Sequence, residues 1–157
     1  MNPAALILGA VMLQGAPLSP DQLAFGLDRL SWGMTQQAAR GQYPALDGAA
    51  AEPGQPVSTL RMADYDVAGC RFTVMLTFEQ GRLAQVDLDS SGVGHLAACN
   101  ARIKRDLGEH YGALGGGFSA NSHGLSDYGS WGGKQMDVTY GELDGAFIKV
   151  SFRRTGR

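Results

Sequence analysis

The longest apolar stretch near the start of this chain, Ala4 to Leu13, is ten residues. That is about half of what a membrane-crossing helix needs, so no transmembrane span is expected. The sequence also lacks a concentrated basic face. Thirteen Lys and Arg stand against 15 Asp and Glu, for a formal net charge of −2. The densest basic group, Arg102, Lys104 and Arg105, lies at helical spacing among Asp106 and Glu109 and reads as a solvated helix face. Nucleic acid is therefore excluded as the expected partner. Histidine is scarce: His95, His110 and His123 have no paired spacing of the kind a metal site on a helix requires. Asp64 with Asp66, and Asp87 with Asp89, each put two carboxylates on one strand face, but no oxygen-rich calcium loop surrounds them. They read as solvated strand ends. No metal and no cofactor is expected.

What is abundant is glycine, 23 residues, and it is unevenly placed. Eight of them fall between Gly112 and Gly133, where Asp127 is the only formal charge. Such a tract cannot be a regular helix, and long strands in it are disfavoured.

Met1 to Pro20 carries no charge and contains the short apolar run, the form of a secretory signal's hydrophobic region. No Lys or Arg precedes the run, and Pro17 follows Gln14-Gly15-Ala16 directly, which makes a poor cleavage site. The alternative is a buried first helix. Export is the reading adopted, with residues 1–19 as a signal segment, residues 20–157 as a single domain, and a periplasmic or secreted location. The only two cysteines, Cys70 and Cys99, are then expected to form a disulfide closing a loop of about thirty residues, the alternative being two buried thiols.

The clearest pattern is Cys70 to Asp89. Cys70, Phe72, Val74, Leu76 and Phe78 alternate with Arg71, Thr73, Met75, Thr77 and Glu79; Gln80-Gly81 turns the chain; Ala84, Val86 and Leu88 then alternate with Gln85, Asp87 and Asp89. That is an antiparallel hairpin with one buried and one wet face. Val57 to Tyr65 looks like a strand before it. Met136, Val138 and Tyr140, then Ala146, Ile148, Val150 and Phe152, form a second one-sided hairpin. Thr35 is an N-cap for a short helix that Gly41 and Pro44 end, and Leu96, Cys99 or Asn100, Ile103, Leu107 and Tyr111 mark a longer helix stopped by Gly112. The two halves echo each other, each with a helix ending in Tyr plus a breaker (Tyr43-Pro44, Tyr111-Gly112) and then one-sided strands. The fold expected is α+β: an antiparallel sheet of five or six strands with two helices packed on one face.

Trp32-Gly33-Met34-Thr35 entering a short helix, the later Tyr43-Pro44 and the antiparallel strands after it carry a resemblance. The chain resembles the helix-plus-sheet modules of β-lactamase-inhibitor-protein-like and small outer-membrane lipoprotein folds of the bacterial envelope. The resemblance covers residues 32–44 and otherwise topology alone. It implies an exported protein that binds through one sheet face, with no catalytic residues to carry over. Ala16 stands where a lipid-bearing Cys would be required, so lipid attachment is not expected.

Two motifs match catalytic or nucleotide patterns by letter but not by context. Gly92-Val93-Gly94-His95-Leu96-Ala97 follows a strand and opens a helix, yet that strand belongs to a hairpin and no parallel strand with an acidic end follows. Ser122-His123-Gly124-Leu125-Ser126-Asp127 holds triad residue types as close neighbours, where triad members must converge from separate parts of the chain. No catalytic residue is assigned. The candidate binding group is Phe118, His123, Tyr128 and Trp131 in the glycine-rich segment, because rigid aromatics on an uncharged loop give contact area at low entropic cost. The competing reading has Phe118 and Trp131 tucked into the core. The function expected is a non-enzymatic exported protein that binds a protein or other envelope macromolecule, as an inhibitor or an assembly partner. The alternative is a small hydrolase or ligand-binding enzyme using His123 and Asp127.

Overall fold

The computed structural model describes residues 21–67, 69–90, 96–112, 127–132, 135–143 and 147–156. Residues 1–19, read from the sequence as a signal segment, and Phe118 and His123 lie outside them. Helix α1 (Gln36–Gln42) precedes strands β1 (Val57–Val67), β2 (Cys70–Glu79) and β3 (Arg82–Asp89); helix α2 (Leu96–Tyr111) precedes β4 (Asp127–Gly132), β5 (Met136–Leu143) and β6 (Phe147–Arg154). The strands form one antiparallel sheet in the order β1-β2-β3-β6-β5-β4. This is the expected α+β architecture, with six strands. Read from either edge the order is the same, so the two helix-plus-meander halves meet across β3 and β6 as if related by a two-fold axis through the seam.

Alternation explains which side is buried. Phe72, Val74, Leu76 and Phe78 of β2 and Ile148, Val150 and Phe152 of β6 are at most 2% exposed, and they meet Ile103 and Leu107 of α2 and Ala39 of α1 in one core. Thr35 caps α1 by accepting the Ala38 N–H at 3.2 Å, and Gly112 follows α2 with φ +82°, as expected of a helix stop. Cys70 and Cys99 are joined, Cα to Cα 5.9 Å, tying the start of β2 to α2.

Two irregularities reset the pattern. Gln80-Gly81, both left-handed, turn β2 into β3 with Glu79 opposite Arg82. The register then slips between Thr77 opposite Gln85 and Phe78 opposite Leu83, which leaves Ala84 as an extra residue. Leu83, not Ala84, therefore fills the inner face beside Phe78, and it is fully buried. A second bulge lies between Met62 and Tyr65, where Asp64 has φ +53°. The free edge of β1 is partly covered: Asp47 exchanges two 2.7 Å backbone hydrogen bonds with Arg61. Strand β4 forms inside the glycine-rich segment, where the sequence disfavoured long strands; its six residues lie at the sheet's other edge.

Candidate functional site

Both helices bury their apolar residues against the same side of the sheet, and among the described residues no helix covers the other side. That open face is built by the alternate residues of each strand. Its central row, in register across the sheet, is Arg61, Met75, Asp87, Ser151 and Thr139. The rows beside it place Thr77, Gln85, Arg153 and Asp137 in line, and Thr73, Asp89 and Lys149 in line. Hydroxyls, both signs of charge and two exposed apolar side chains, Met75 at 38% and Val57 at 48%, share this surface.

Asp87 anchors it. On a face open to water it is only 5% exposed. Gln85 donates its amide Nε2 to both carboxylate oxygens, at 3.0 and 2.8 Å; the Ser151 hydroxyl donates to Oδ1; and Lys149 Nζ stands 3.6 Å from the same oxygen. A buried carboxylate with hydrogen-bonded partners is a rigid element, since each partner fixes the others' rotamers. The network engages the Ser151 hydroxyl with the Asp87 carboxylate, across the β3–β6 pairing.

The covered face carries a different construction. The segment ahead of α1 crosses it as a strap, held by three tyrosine hydroxyls. Tyr111 donates to the Gln22 carbonyl at 2.8 Å and accepts the Ala24 N–H at 3.0 Å; Tyr65 donates to Phe25 at 2.7 Å; Tyr43 donates to Gly26 at 2.6 Å. These bonds enforce left-handed backbone at Phe25 (φ +63°) and Gly26 (φ +75°), the first of which a bulky side chain resists. Burial pushes the Tyr43, Tyr65 and Tyr111 phenols above their ordinary range. The Phe25 ring meets Phe152 edge-on, and Tyr111 stands between Phe152 and Trp131. Further along the strap, Gly33 donates its N–H to the Leu83 carbonyl at 3.0 Å, and Leu83 donates to Met34 at 2.9 Å. Trp32-Gly33-Met34 thus docks on the part of β3 that β6 does not reach, whose pairing begins at Gln85.

Two polar groups lie under α2. Asn100 donates Nδ2 to Glu142 at 2.5 Å while accepting the Tyr140 hydroxyl, and Tyr140 and Glu142 are both buried. His110 has its Nε2 buried without a hydrogen-bond partner, and desolvation holds its pKa below the ordinary value against the opposing effect of a backbone hydrogen bond at Gln22.

The sequence-derived candidates fare unequally. Trp131 is 7% exposed and donates Nε1 to the Gly112 carbonyl at 3.0 Å, so it takes the anchoring role weighed against binding. Tyr128 pairs with Gly141 in β4, and Asp127 pairs with Glu142. Phe118 and His123 lie outside the described residues, and with them any geometry between His123 and Asp127. In the sequence Asp87 reads only as one of a pair of carboxylates at a solvated strand end. The structure puts it mid-sheet instead, because β6 lies alongside. A signal was present: Asp87 interrupts a run that is otherwise Val86 and Leu88, and its opposite number, Ser151, interrupts Val150 and Phe152. Among the described residues no three His, Cys, Asp or Glu side chains come together as a metal group, and no helix is long and apolar enough to cross a membrane.

Comparison with family models, curated proteins and solved structures finds no match to this chain.

Proposed function

We propose that this chain is an exported, non-enzymatic binding domain that engages another protein through the open face of its sheet, as an inhibitor or an envelope-assembly partner. The observation that carries this is Asp87: a carboxylate withdrawn from water and held by Gln85, Ser151 and Lys149 at the centre of a face that no described helix covers. Around it the face offers fixed hydroxyls, charges of both signs and the apolar Met75. That composition suits a protein surface better than a lipid or a nucleic acid, which favour an apolar or a uniformly basic face. The Cys70–Cys99 disulfide supports an oxidising compartment. The resemblance to envelope inhibitor-like and lipoprotein-like modules points to the same use of a sheet face.

The test is site-specific photocrosslinking in the full chain, with the reactive group placed at Met75 and, as a control, at Gln42 on the helical side. A discrete adduct from Met75 alone, lost when Arg153→Glu or Lys149→Glu is added, supports the reading. Equal labelling from both positions, or an adduct indifferent to both charge reversals, overturns it.

A further inference from the structure

Gly33 occupies the position beside β3 where β6 has run out, and two arginines flank it. Arg82, the first residue of β3, donates Nη1 to the Gly33 carbonyl at 3.3 Å. Arg154, the last residue of β6, brings its Nη1 to 3.4 Å from where a Cβ on Gly33 would stand. Both side chains line a cleft of about 450 Å³ together with Gln80, Leu83 and Thr155. Neither guanidinium makes an ion pair among the described residues. Glu79 lines the same cleft and stands directly across from Arg82 in the strand register, yet it comes within ion-pair distance of neither.

Two guanidinium groups drawn to one residue without a counter-ion repel each other, and the arrangement is relieved by an anion placed between them. Guanidinium is the side chain whose planar fork matches the paired oxygens of carboxylate and phosphate groups. The geometry points to an oxyanion-binding site in this cleft, with Arg82 and Arg154 as the charged donors and Gln80 and Thr155 as neutral ones. Position 33 suits glycine because its φ is +80°, and the Arg154 guanidinium comes within van der Waals reach of where a Cβ would stand. The site lies at one end of the sheet's strands and does not depend on the open-face reading.

Its test is an NMR titration of the full disulfide-bonded chain with sodium phosphate and, separately, sodium acetate, at ionic strength held constant with sodium chloride. Saturable shifts confined to residues around Gly33, Arg82 and Arg154 are expected from at least one of the two anions. Phosphate binding more tightly than acetate would identify a tetrahedral ligand, and the reverse a carboxylate. Arg154→Gln and Arg82→Gln should each weaken the binding at least tenfold. Arg154→Lys should weaken it less, and Arg71→Gln, at the far end of β2, should leave it unchanged. Shifts that never saturate, that chloride alone reproduces, or that Arg71→Gln reduces as much as Arg154→Gln would overturn the proposal.

Discussion

The Tyr65 hydroxyl reaches the carbonyl of Phe25, forty residues earlier in the chain, at 2.7 Å. With Tyr43 on the next carbonyl, at Gly26, it holds a left-handed pair of residues that the local sequence alone would not adopt. Removing either hydroxyl, by Tyr65→Phe or Tyr43→Phe, is expected to destabilise the fold by about 1 kcal/mol, with the double variant close to the sum or somewhat beyond it. Gly26→Ala is expected to cost more, about 2 kcal/mol, because its Cβ would stand 2.9 Å from the Tyr65 hydroxyl in a backbone conformation that already disfavours a side chain. Urea denaturation at neutral pH measures all of these.

The phenols raised by burial give a second, alkaline signature. A group whose folded pKa lies above its unfolded value of about 10 stabilises the fold fully below that pH, and the contribution is lost as the pH rises through the folded value. The stability of the wild type is therefore expected to fall from about pH 10 upward. Tyr43, Tyr65 and Tyr111 should contribute a late component to the tyrosinate absorbance titration, above the ordinary phenol range. In Tyr43→Phe/Tyr65→Phe protein the decline in stability above about pH 10 should be shallower than in the wild type, because two of the three raised phenols are gone; an unchanged slope would overturn the assignment.

His110 acts at the other end of the scale. Its folded pKa is lowered, chiefly by desolvation, so the unfolded chain binds its proton first as the pH falls. Its contribution is complete above the unfolded pKa of about 6.5 and is lost as the pH drops below that value. The midpoint of thermal unfolding should decline on acidification from pH 7 to pH 5. His110→Gln should flatten that decline while leaving the high-pH plateau within a few degrees.

Asp87 is expected to tolerate Asn better than Ala. Asp87→Asn keeps an acceptor for Gln85 and Ser151 and should cost about 1 kcal/mol, whereas Asp87→Ala strands both partners in a half-dry site and should cost about 2 kcal/mol. Equal effects from the two, measured by denaturant titration, would show that the charge and not the hydrogen bonding holds the network.

Opening the Cys70–Cys99 bridge, by Cys70→Ala/Cys99→Ala, should cost about 3 kcal/mol for a loop of 29 residues in sequence. The same loss should follow from reductant acting on the wild type, read as a drop in the denaturation midpoint.

How much of this was legible varies with how locally each element is determined. The β2–β3 hairpin, both helices and the disulfide could be read directly, since alternation, capping and the two lone cysteines are short-range signals. The bulge at Ala84 could not, because Ala84 alternates with Val86 and Leu88 as convincingly as a true inner residue would. Only the turn geometry, which places Glu79 opposite Arg82, puts Leu83 on the inner side. Strand β4 was hidden because Gly129 and Gly132 carry no side chain to alternate; pairing with β5 makes it a strand. The open face and the arginine cleft were hidden for a different reason. Each gathers residues from β3 and β6 that are more than sixty positions apart, and no window of sequence contains both.

That seam between β3 and β6 also governs assembly. Gln85 must find Arg153 and Asp89 must find Lys149, while every other strand pairing in the sheet joins neighbours in the chain. The two meanders can each form early, but closing the seam carries the longest loop and is the step expected to set the folding rate. Until it closes, both halves present an unpaired inner edge of matching register. At high protein concentration a second copy's half can occupy that edge as readily as the chain's own, so refolding in concentrated solution favours exchanged dimers whose halves are native and whose connectivity is not.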